Sequence, residues 1–187
     1  FALLFMRSRP AVTASKRLRA SGASIFPALG LMTGRPSFTG AGDLSSGRSK
    51  IGFFVGTNFF SYMTGPENLD YYRVLKGVKD KGEVDRLMKL VGLDKPKSKV
   101  SAYSLGMKQR LGLANALLGN PEIVILDEPT NGLDPQGIAD IRNTVKKINE
   151  EYGTTFIISS HILGELQHTA NTFSILNGGE IVKELTA

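Results

Sequence analysis

Ser101 to Pro135 reads SAYSLGMKQRLGLANALLGNPEIVILDEPTNGLDP. Ser104 is a good N-cap, and the helix expected over Leu105–Leu118 carries a wide apolar face of Leu111, Leu113, Ala114, Leu117 and Leu118. Asn120-Pro121 ends it, because a residue before proline is steered away from helical geometry. Glu122 to Leu126 is then almost continuously aliphatic, the pattern of a strand buried on both faces. That strand delivers Asp127-Glu128 to its carboxyl end, the edge where open α/β sheets bind ligands. Asp134 is an N-cap and Pro135 a first-turn residue, so another helix starts there.

Working outward, Ile51 to Val55 and Thr154 to Ser159 have the composition of buried strands. Asn68 to Val91 shows a helical period broken near Gly77 and Gly82, and Lys95 to Lys99 is a basic loop. The helix after Asp134 extends to about Glu151, and another is expected over Ile162–Ala170. Phe173–Leu176 and Glu180–Lys183 flank Asn177-Gly178-Gly179, a hairpin signal. Strands alternating with helices predict an α/β fold with a mostly parallel sheet and flanking helices.

The net charge of +6 is unevenly placed: residues 1–50 hold eight Lys/Arg and a single acid, the rest 15 basic and 16 acidic residues. The body of the chain therefore makes no case for nucleic acid. The absence of cysteine excludes disulfides and thiolate metal sites. No run of about 18 apolar residues occurs, so the given residues are not expected to span a membrane.

The order and spacing of these segments resemble the nucleotide-binding subunit of an ATP-binding cassette (ABC) transporter, of the drug-, bacitracin- and lantibiotic-exporting type. The resemblance runs from about Lys50 to Ala187 and implies a P-loop NTPase-like fold with a helical signature subdomain. The implied division is a core strand and altered Q-loop at 44–65, the helical subdomain at 66–119, and a core with Walker B, D-loop and H-loop at 120–187. Ile123 to Glu128 is similar to Walker B, so Asp127 would hold Mg²⁺ and Glu128 would orient or deprotonate the attacking water. Tyr103 to Met107 stands in the place of the signature. Ser104, Leu105, Gly106 and Met107 would face an ATP phosphate across a subunit interface, with backbone N–H groups and the helix dipole as the attraction. Gly132-Leu133-Asp134 resembles the D-loop, and His161 after Ser159-Ser160 resembles the H-loop histidine, which the resemblance implies would contact the γ-phosphate and link it to the water and Glu128. His168 is read only as a helix residue. The implied partners are a transmembrane permease subunit and a second nucleotide-binding subunit, in a homo- or heterodimer, with the chain peripheral at the cytoplasmic membrane face.

Two departures matter. No G-x-x-x-x-G-K-[ST] sequence, the Walker A phosphate loop, occurs in the 187 residues. Gly42 to Ser49 comes within one residue of it, but a strand pattern follows where a helix is required. Gly56 replaces the Gln or Glu of the Q-loop, leaving Thr57 and Asn58 as the nearest polar residues. Phe1-Ala2-Leu3-Leu4 resembles the strand that enters Walker A, and Leu29 to Leu44 the segment preceding the Q-loop strand; between them the loop is replaced. Residues 1–43 are accordingly read as a truncated or aberrant beginning, in preference to an organellar transit peptide. Two other functions compete: a non-catalytic subunit that only completes a partner's ATP site, and a soluble ABC ATPase of translation or DNA repair. The second usually shows tandem cassettes or long coiled-coil insertions, which this sequence lacks.

Overall fold

Residues 2–6, 50–54, 56–94, 97–161, 164, 170–177 and 180–186 are described by the structure, a computed structural model. In chain order the elements are β1 (Ala2–Met6), β2 (Ile51–Phe54), α1 (Gly65–Leu75), α2 (Gly82–Leu90), α3 (Leu105–Leu117), β3 (Ile123–Asp127), α4 (Pro135–Tyr152), β4 (Thr155–Ser160), β5 (Thr172–Asn177) and β6 (Glu180–Thr186). The expected strands and helices of the 50–160 stretch thus appear within three residues of their sequence limits, the largest difference being α1, which starts at Gly65 and not at Asn68. The period over Asn68–Val91 resolves into two helices, α1 and α2, parted around Gly77.

The strands form one sheet in the order β2-β3-β4-β1-β5-β6. β2, β3 and β4 are parallel, with Phe54 opposite Leu126 and Asp127 opposite Ser159, so Asp127 and Ser159 emerge together at one edge. Val124, Leu126, Phe156 and Ile158 are buried, as the unbroken aliphatic runs predict for central strands. Beyond β4 the ladders are antiparallel: β1 against β4 and β5, and β5 against β6.

β1 corrects one expectation. The strand resembling the entry to Walker A runs opposite to β4, with Ala2 opposite Ser160 and Met6 opposite Phe156. It therefore leads away from the edge that carries Asp127, not toward it. An apolar run carries no mark of direction, because antiparallel and parallel ladders satisfy the same backbone groups. The segments Leu29–Leu44 and Gly42–Ser49, the expected helix over most of 162–170, His168 and the rest of the 1–43 arm lie outside the described residues.

α3 reaches the sheet through glycine. A Cβ at Gly52 would lie 2.0 Å from the Ala116 carbonyl oxygen, and one at Gly112 would lie 2.2 Å from the Phe54 ring. Backbone cannot yield as a side-chain tip can, so Gly52→Ala should cost about 1–3 kcal/mol of stability, typical of overpacking. A urea midpoint unchanged from the parent protein would contradict this contact.

α1 and α2 stand with α3 as a helical lobe. Thr64 caps α1 in a reciprocal capping box with Glu67, whose carboxyl is held below its ordinary pKa by the hydrogen bond from the Thr64 backbone N–H. Buried Asn68 bonds both backbone groups of Phe60, at 2.8 and 3.0 Å, and so fixes the loop that follows Gly56. The lobe is tied back to the turn before β3. Glu83 accepts from the Gly119 N–H at 2.9 Å and Arg86 donates to Asn120 at 2.7 Å.

Candidate functional site

Two side-chain groups form at the carboxyl edge of the parallel strands. The first joins the ends of β3 and β4. Asp127 closes β3 and is exposed; Glu128 follows with φ +46°, a left-handed backbone that non-glycine residues adopt at a cost of roughly 1–2 kcal/mol. Glu128 Oε2 lies 2.8 Å from His161 Nδ1, with the Glu128 side chain 19% exposed and that of His161 54% exposed. The pair is therefore held by protein on one side and open on the other. Ser159 bridges the Asp127 carboxylate and the Glu128 backbone. Its hydroxyl donates to Asp127 Oδ1 at 2.6 Å and accepts from the Glu128 N–H at 2.9 Å.

The second group joins the start of α3 to the 128–134 turn. Ser104 caps α3, its Oγ accepting from the Met107 N–H at 3.2 Å. Asp134 caps α4, its Oδ1 accepting from the Gly137 N–H at 2.9 Å. The turn is closed by Asn131 N–H to the Glu128 carbonyl and Leu133 N–H to the Thr130 carbonyl, both at 3.2 Å. It brings Gly132 and Leu133 against α3: a Cβ at Gly132 would lie 3.1 Å from Leu105 Cδ2, and one at Gly106 would lie 3.7 Å from Leu133 Cδ2. Ser104 and Leu105 are exposed, and Gly106 and Met107 are half-buried.

The structure thus brings Asp127, Glu128 and His161 together, and sets Leu105 and Gly106 against the turn that ends at Asp134. Gly56, with φ +72° and open space around it, follows β2 at the same edge. Ser159 is a participant to which the sequence alone gives no role. Its signal was its place two residues before His161 at the end of an apolar strand, where a serine ordinarily reads as a strand end meeting solvent.

Against known proteins, the ABC transporter family pattern matches residues 31–131. The bacitracin transport ATP-binding protein BcrA of Enterococcus faecalis is 48% identical over 139 residues, 73% of this chain and 45% of that protein. The lantibiotic transport ATP-binding protein SrtF of Streptococcus pyogenes is 36% identical over 173 residues, 88% of this chain and 75% of that protein. Among solved structures, a dimeric ATP-binding cassette in a post-hydrolysis state, bound to ADP and Pi, superposes with a TM-score of 0.66 at 27% identity. The match covers 76% of this chain and 65% of that one. The chain belongs to the ABC transporter family. It spans less than half the length of its bacitracin-transport relative.

Proposed function

We propose that the chain is an ATP-site component of an ABC exporter, of the drug, peptide or lantibiotic class, acting with a transmembrane permease and a second nucleotide-binding subunit. The observation that carries this reading is the Glu128–His161 contact at 2.8 Å beside Asp127, at the carboxyl edge of the parallel strands. We assign Asp127 to Mg²⁺, Glu128 and His161 to the attacking water and γ-phosphate, and Ser104, Leu105, Gly106, Met107 and Asp134 to a nucleotide shared with the opposing subunit. The division into an altered strand and Q-loop at 44–65, a helical subdomain at 66–119 and a catalytic core at 120–187 belongs to the same reading. The proposed place of action is the cytoplasmic face of the membrane; among the described residues no helix is long and apolar enough to cross it.

The residues fit these groups unequally. Mg²⁺ is usually held by one or two carboxylates together with phosphate oxygens and water, and the exposed Asp127 suits that role. MgATP, when bound, would supply the electrophilic phosphoryl group and the neutralising cation. Glu128 would accept the proton of the attacking water through the oxygen that His161 leaves free. His161 would hold Glu128 through Nδ1 and keep Nε2 for the phosphate side. The cradle for the phosphates does not fit these 187 residues: the sequence holds no Walker A, and β1 leads to the opposite edge. We therefore assign the cradle to another polypeptide segment, and residues 101–161 to the signature face and the water-activating pair.

The chain alone should bind ATP loosely, through its basic residues, and lose that binding as salt screens them. Titration of labelled ATP at low and high ionic strength tests this. Micromolar affinity surviving high salt would show that a segment before Lys50 cradles phosphate.

A further inference from the structure

We propose that Ser159 is a positioning residue that sets the geometry of the Glu128–His161 pair through the backbone of Glu128. The inference rests on the reading of Glu128 and His161 as the working pair, and it concerns how they come to face each other.

The sheet register poses the problem. Asp127 lies opposite Ser159 across the β3–β4 ladder, so the two share one face. His161 is two residues past Ser159, which returns it to that face if the strand direction continues. An extended Glu128 would follow Asp127 with its side chain on the other face, opposite Ser160, and would miss the histidine. The observed Glu128 is not extended: its φ of +46° breaks the alternation, and its carboxylate meets His161 at 2.8 Å.

Pro129 steers Glu128 away from right-handed helical geometry and toward the extended form, so the left-handed backbone needs another support. The Ser159 hydroxyl, itself anchored by donating to Asp127 Oδ1 at 2.6 Å, then presents its lone pair to the Glu128 N–H at 2.9 Å. One hydroxyl thereby fixes the rotamer of the proposed metal carboxylate and the backbone of the proposed base.

The test needs no nucleotide, so its outcome is independent of whether the chain completes an ATP site. The ring nitrogens of His161 are followed by NMR in the full chain with labelled histidine, at alkaline pH, with His168 as the second resonance. In the parent protein neutral His161 should carry its proton on Nδ1, donated to Glu128. Ser159→Ala should lose that preference, and Ser159→Thr, which keeps the hydroxyl, should retain it. A serine that merely filled space would leave the tautomer unchanged in Ser159→Ala, and that result would overturn the proposal. Should Ser159→Ala fail to fold, amide exchange in the parent decides: the Glu128 N–H should exchange about ten-fold or more slowly than an unstructured amide. Unprotected exchange there would equally overturn it.

Discussion

Ser104→Arg is expected to abolish the chain's ability to rescue a partner subunit whose own signature is disabled. In that pairing the intact phosphate loop belongs to the partner, and this chain contributes the start of α3 and the turn at 132–134. Ser104 is exposed at the helix N-terminus, and Gly106 beside it leaves the backbone open. An arginine there adds bulk where a phosphate would approach, and its flexible cation competes with the backbone N–H groups for the anion. ATP hydrolysis by the mixed pair, measured at fixed partner concentration, should fall to that of the disabled partner alone. Glu128→Gln should leave the rescue intact, because Glu128 serves a nucleotide held on its own side. Loss of rescue on Glu128→Gln would mean that phosphate is already cradled by this chain.

Supplying the missing loop should reverse the standing of Glu128. If the β1 segment is replaced by a strand parallel to β4, followed by a G-x-x-x-x-G-K-[ST] loop and a helix, the loop would emerge beside Asp127. In that protein Glu128→Gln should lower kcat by about 10²–10⁴-fold, the usual contribution of a positioned general base. Folding of the variant is checked by thermal melting, since Glu128 is half-buried and glutamine keeps its shape. A graft that binds ATP tightly and hydrolyses it equally well after Glu128→Gln would remove Glu128 from the chemistry.

The parts that were legible in the sequence are those written in local chemistry. β3 and β4 announce themselves because central parallel strands are apolar on both faces. The starts of α3 and α4 are marked by Ser104 and Asp134, which the structure uses as caps through Met107 and Gly137. The meeting of Glu128 with His161 was legible only as a family resemblance. The direction of β1 was not legible at all, since an apolar run carries no mark of which way the chain travels. Nor was the work of Asn68, a polar residue inside a helical period that turns out to fix the Phe60 backbone. Ser159 escaped because its importance lies in cross-strand register, and register follows from the assembled sheet.

The glycine contacts between α3 and β2 carry a further consequence, one of phase. Gly112 seats the helix on Phe54, and Ser104 stands eight positions earlier, about 12 Å along the axis at 1.5 Å per residue. Between the two, α3 behaves as a keyed shaft. Substitutions on its surface leave the angular setting of Ser104 alone, whereas one inserted residue would turn it by about 100°. The signature face is thus indexed to the sheet by counting, and length is the property of this segment that tolerates least change.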